Sequence, residues 1–129
     1  MADIILKKKL IEDILEFSEA NASEGFIAQI GGYLDRNSGK IIAENLLYQG
    51  FMENNSAASI ITGQMPVVDD VIGTVHNHTA RSHELDERDK DIIDGGYGSV
   101  HIVAFSPYKK EDVKLYDSQG KELDWVTGD

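Results

Sequence analysis

Three of the four histidines fall within His76-Asn77-His78-Thr79-Ala80-Arg81-Ser82-His83, and His76 and His78 stand two residues apart. On a strand, alternate side chains share a face, so both imidazoles point the same way. Two imidazoles ~6–7 Å apart along a strand can converge on one metal ion held ~2.0–2.1 Å from each nitrogen. Asp89, one turn into a short helix that follows the loop 79–85, can bring a carboxylate back to that face. A set of two His and one Asp leaves a fourth tetrahedral position for water, which is the pattern of a catalytic zinc site. The chain has no cysteine, so any metal must sit on His, Asp or Glu.

The same residues have a plainer reading. His-x-His can be two polar residues on a half-exposed strand. Asp86 is a good helix N-cap, and Asp89, three residues on, can act as the acidic partner of a capping box. Acids in a first helical turn also suit the helix dipole. The two readings are compatible, because a capped helix presents Asp89 rigidly. Of the other histidines, His83 reads as a solvated loop residue. His101, amid Val100, Ile102 and Val103, reads as a structural histidine on a strand.

Several elements must position these residues. Residues 7–20 predict a helix, with Leu10, Ile11, Ile14, Leu15 and Phe17 on a broad apolar face. Residues 25–34 and 41–51 predict two strands joined through the turn formers Asp35-Arg36-Asn37-Ser38-Gly39-Lys40. Residues 56–62 are apolar and ambiguous between strand and helix. Val67 to His78 predicts the strand that carries the histidine pair. Asp86 to Asp94 predicts a short helix ended by Gly95-Gly96. Strands are expected at Ser99–Ser106 and Val113–Tyr116, with a short one at Glu122–Val126. The order implies a single α/β domain over residues 1–129, an α-β-α sandwich around a mixed, mostly antiparallel sheet.

Charge narrows the partners. Twelve Lys and Arg face 23 Asp and Glu, a formal net charge of -11. Nucleic acid and anionic membrane surfaces need cations, so both are disfavoured. A basic protein would be attracted over long range, although solubility alone accounts for the acidity. No apolar run reaches the ~20 residues of a membrane span, and the first residues lack the form of a secretory signal. A cytoplasmic location is expected.

These residues together resemble the JAMM (MPN) family of metalloproteases. That family carries a Glu near its first strand, then His-(Ser or Thr)-His, seven residues, Ser, two residues and Asp. Here Glu24 matches in Ser23-Glu24-Gly25-Phe26-Ile27-Ala28, and His76 and His78 match in Gly73-Thr74-Val75-His76-Asn77-His78. Asp86 takes the Ser position and Asp89 the ligand position. The stretches Val67–Val75, Val100–Val103, Pro107-Tyr108 and Tyr116-Asp117-Ser118-Gln119-Gly120 also look like the compact archaeal members. The resemblance spans roughly residues 5–120.

The resemblance implies a cytidine-deaminase-like JAMM/MPN fold and a zinc ion on His76, His78 and Asp89. It also implies hydrolysis of the bond after the C-terminal glycine of a ubiquitin-like or sulfur-carrier-like protein. Glu24 would take a proton from the attacking water and hand it to the leaving amine. The modifier's extended tail could pair with a sheet edge near the site, and a homo-oligomer is compatible with all of this. Three positions depart from the pattern. Asn77 replaces Ser or Thr and is expected to face away from the metal. Thr79 replaces a common Pro. Asp86 replaces the Ser whose hydroxyl would help hold the water and the developing oxyanion, and an ionised carboxylate has no proton to donate there. Asp86 would then act protonated or serve only as a cap, with Thr79, Arg81 or Ser82 supplying the donor. The alternative implied is a metal-binding, partner-binding domain with weakened or lost catalysis.

Overall fold

The computed structural model describes residues 3–23, 25–51, 71–78, 83–95 and 98–129. The elements are β1 (Ile4–Lys7), α1 (Lys8–Ala20), β2 (Phe26–Asp35), β3 (Lys40–Phe51), β4 (Val71–Asn77), α2 (Glu87–Gly95), β5 (Val100–Ala104), a 3₁₀ turn (Lys110–Asp112), β6 (Val113–Tyr116), β7 (Glu122–Leu123) and β8 (Val126–Gly128). The strands form one sheet in the order β7-β6-β5-β4-β2-β3-β1-β8.

Lys7 belongs to a strand rather than to the first helix. Ile4 and Leu6 are buried on alternate positions, which is strand periodicity. β1 pairs in parallel with both β3 and β8. Those partners are distant in sequence, so a local pattern of three apolar residues could not announce them. The helix proper begins at Lys8 and buries Leu10, Ile11, Ile14 and Ser18 along one stripe. Each fully buried aliphatic side chain there contributes roughly 1.5–3 kcal/mol. Asn21 ends the helix: its backbone N–H and its Nδ2 both donate to the Phe17 carbonyl, at 3.1 and 2.9 Å.

The strand expected at Glu122–Val126 is two strands on opposite edges, β7 against β6 and β8 against β1. Three chain steps separate Leu123 from Val126, so the two edges lie within about 11 Å of one another. The sheet is therefore strongly curled, with Trp125 packed against the core at the join.

Four of the seven strand pairings are antiparallel and three parallel, as a mixed, mostly antiparallel sheet requires. β4 lies inside it, antiparallel to β2 and parallel to β5. Gly73 allows β4 to press on β5, since a Cβ there would fall 1.5 Å from the Val100 carbonyl oxygen. One face of the sheet packs on α1 through Phe26, Ala28, Ile30, Val75, Ile102 and Leu115. A smaller cluster, Ile93, Val103, Phe105 and Tyr116 with Leu85 beside it, packs α2 on the other face. Among the described residues the layers run helix, sheet, helix. The expected strand start at 67–70 and the apolar run 56–62 lie outside the described residues. No helix among the described residues is long and apolar enough to cross a membrane.

Candidate metal centre

β4 presents successive residues to opposite faces. Val75 joins the α1 core, whereas His76 registers against Ile27 on β2 and Val103 on β5, on the α2 side. His76 and His78 are 0% and 1% exposed. His78 continues the ladder past the strand end, its N–H donating to the Ala104 carbonyl at 2.8 Å. The Tyr108 hydroxyl donates to the His78 carbonyl at 3.0 Å, and the Phe105 ring lies against the imidazole with centroids 4.8 Å apart. Ring orientation and main chain are therefore both fixed.

Asp89 arrives through its helix cap. Asp86 Oδ1 accepts from the Asp89 N–H at 2.9 Å, and Asp89 Oδ2 accepts from the Asp86 N–H at 2.9 Å. This is the reciprocal capping box expected at this spacing, built with Asp in both places. It leaves Asp89 2% exposed with both oxygens facing the histidines. His76 Nε2 lies 2.7 Å from Oδ1, and His78 Nδ1 lies 2.6 Å from Oδ2. Burial pushes the Asp89 carboxyl up. The His76 hydrogen bond and charge, the Asp86 amide and the His78 charge outweigh it and bring the pKa down to about 2.

The cluster extends to Asp86. Donor atoms of His78, Asp86 and Asp89 all lie within 4.8 Å of one another, a grouping that could hold a metal ion. His76 adds its Nε2 through Asp89 Oδ1. The second nitrogens, His76 Nδ1 and His78 Nε2, are buried and have no hydrogen-bond partner among the described residues. Two fixed imidazoles aimed at one buried carboxylate form a nitrogen and oxygen donor set with no thiol, which suits zinc. Residues 76, 78, 86 and 89 are thus brought together. Glu24 lies outside the described residues, as do Thr79, Arg81 and Ser82.

The other histidines stand apart. His83 is exposed, and its Nε2 donates to the Ser106 carbonyl at 2.5 Å. His101 is fully buried between Thr74 Oγ1, 2.8 Å from Nδ1, and Ser118 Oγ, 3.4 Å from Nε2. Ser118 donates its proton to the Gly98 carbonyl. The imidazole is left to donate from Nε2 and to accept from Thr74 at Nδ1. Burial lowers its pKa to about 4, with His76 acting the same way and Gly98 and Asp117 opposing. Between pH ~6.5 and 4 the unfolded state binds the proton and the folded state does not, so stability falls as pH falls through that window. The effect reaches about 3 kcal/mol. Urea unfolding at pH 7 and pH 4.5 should show this loss in the wild-type protein and a much smaller one in His101→Gln. Equal losses would rule it out.

Sequence reasoning noted Asn77 as a departure and quoted Tyr108 beside Pro107, but did not read what either side chain holds. Tyr108 holds φ 64, and its position after Pro107 was the one available signal. Asn77 does face away from the cluster, as expected, yet it is fully buried and bonded. Its Oδ1 accepts from Phe26 N at 2.9 Å, and its Nδ2 donates to the carbonyls of Asn21 at 3.1 Å and Ser18 at 3.3 Å.

The fold can be compared with solved structures. A JAB1/MPN domain protein from Archaeoglobus fulgidus superposes with a TM-score of 0.72, at 24% identity over 97% of this chain and 99% of that one. This chain is a JAMM-fold protein. A structure described as JAMM, a metalloprotease-like zinc site in the proteasome and signalosome, superposes at a TM-score of 0.70 and 22% identity, covering 98% of both chains. A Desulfitobacterium hafniense protein follows at 0.59 and 16%, covering 98% of this chain and 93% of its own. In sequence, a probable metalloprotease from Haloferax volcanii is 28% identical over 98 residues. That match covers 74% of this JAMM-fold chain and 59% of the relative, so the chain spans under two thirds of the relative's length. No family model matches the chain.

Proposed function

We propose that this chain is a zinc-dependent peptidase or isopeptidase that cleaves the bond after the C-terminal glycine of a ubiquitin-like or sulfur-carrier-like protein. The observation that carries the reading is the convergence of His76 Nε2 and His78 Nδ1 on the two oxygens of buried Asp89. The fold it shares with a metalloprotease-like zinc site, and the matching motif, support it. His76, His78 and Asp89 would hold the ion. When bound, zinc supplies a Lewis acid and acidifies water near neutral pH. Asp89 is already ionised at that pH, so loading requires no proton to leave it. Glu24 is assigned as the base that accepts the proton of the attacking water and returns it to the leaving amine.

The test is cleavage of a panel of modifier conjugates by the zinc-loaded protein. The expected result is hydrolysis that stops on chelation and falls by at least about 10²-fold in Glu24→Ala. Intact conjugates throughout, with zinc bound, would remove the proposal. A second reading is a metal-binding, partner-binding domain with weak catalysis. It is favoured by the carboxylate of Asp86, which stands 3.9 Å from His78 Nδ1 where a hydroxyl donor would be needed.

A further inference from the structure

We propose that Asp86 is a fourth protein donor to the ion held by His76, His78 and Asp89, so that a carboxylate closes the site at rest. This rests on the reading of the cluster as a zinc centre. The two oxygens of Asp86 have different partners. Oδ1 accepts from the Asp89 N–H at 2.9 Å, which completes the helix cap. Oδ2 has no such partner among the described residues and lies 3.9 Å from His78 Nδ1. That separation is too long for a hydrogen bond. It is close to the spacing of two donors on one tetrahedral ion, about 3.3–3.5 Å for bonds of 2.0–2.2 Å. The donor atoms of His78, Asp86 and Asp89 already fall within 4.8 Å of one another.

The backbone of Asp86 is held on both sides, by its N–H to Asp89 Oδ2 and by its carbonyl, which accepts from Lys90 N at 3.0 Å. Rotation of the side chain about this fixed backbone is the movement the proposal requires to bring Oδ2 onto the ion. Charge favours the move. Two carboxylates and two neutral imidazoles as direct donors balance a divalent cation, whereas with serine at 86 only Asp89 would bring a negative charge into direct contact with it. The Asp86 side chain is 48% exposed, unlike the other three donors. It is therefore the donor that can swing out to solvent and open the fourth position, as the serine of the family pattern need not do.

The experiment measures zinc affinity by competition with a chromophoric chelator for the wild-type protein, Asp86→Ser and Asp86→Asn. Ser and Asn are both good N-caps, so each variant keeps the α2 cap while losing the anionic donor. Both should bind zinc at least about 10–100-fold more weakly than wild type. X-ray absorption of the zinc-loaded wild-type protein should show four protein donors and no water. Wild-type affinity in both variants, or a water in the fourth position, overturns the proposal, and the absorption measurement does so even if a variant fails to fold. Neither readout depends on hydrolysis. If the wild-type protein takes up no zinc, the zinc reading itself falls; if it binds zinc with Asp86 off the ion, only the fourth donor falls.

Discussion

Asp89→Asn should abolish zinc binding while leaving most of the fold intact, and Asp89→Ala should cost both. The carboxylate has three simultaneous roles. It receives His76 Nε2 and His78 Nδ1 on separate oxygens, and it accepts the Asp86 N–H that completes the cap of α2. Asparagine keeps the size and one acceptor oxygen for the cap but has no charge for a cation and turns an NH2 towards one histidine. Loss of a direct anionic donor should exceed the ~10–100-fold loss in affinity typical of groups that only support metal ligands. Alanine also leaves the Asp86 N–H and two buried imidazoles without their acceptor, and should destabilise the metal-free protein by about 2–4 kcal/mol. Chelator competition and urea unfolding of the two variants separate these effects. Near-wild-type zinc affinity in Asp89→Asn would exclude Asp89 as a ligand. The carboxylate's own contribution to stability is present above pH ~4 and is lost as pH falls towards its folded pKa of about 2.

Asn77→Ala should destabilise the protein strongly, by about 3–5 kcal/mol. Its side chain makes three hydrogen bonds to main-chain groups, to Phe26 N and to the carbonyls of Ser18 and Asn21. Alanine leaves the Phe26 N–H, at the buried start of β2, without its acceptor, and a fully buried polar group without a partner costs roughly 1–3 kcal/mol. Asn77→Asp is nearly the same shape but sets a carboxylate oxygen against two carbonyls, so it should be no better than alanine. Asn77→Ser, the residue type of the resembling pattern, should fall between. Urea unfolding at pH 7 gives the order, and a loss below about 1 kcal/mol in Asn77→Ala would refute this account of the side chain. Asn21 and Phe26 flank Glu24 in sequence, so the same variants test whether anchoring these flanks matters to hydrolysis.

What the sequence disclosed was what short spacings encode. The i, i+2 histidines on a strand and the Asp86–Asp89 cap follow from local geometry, and the structure places these residues in one cluster. The α1 stripe and the β2–β3 hairpin were legible for the same reason. What it hid depended on distant partners. β1 is a strand only because β3 and β8 flank it. Asn77 looks like a neutral replacement until the end of α1, 56 residues earlier, is seen to use it. Tyr108 reaches His78 from 30 residues away. Glu24 was singled out by resemblance alone, since an acid before a strand carries no pattern of its own.

The interior position of β4 constrains how a substrate is read. Both flanks of this strand are taken, by β2 and by β5, so a peptide laid across the histidines cannot hydrogen-bond to β4 as an added neighbour. The outermost strands, β7 and β8, have two and three residues and curl towards each other. If the proposed function holds, discrimination between one glycine-ended tail and another has to come from elsewhere than the main-chain ladder of the strand that carries the ligands.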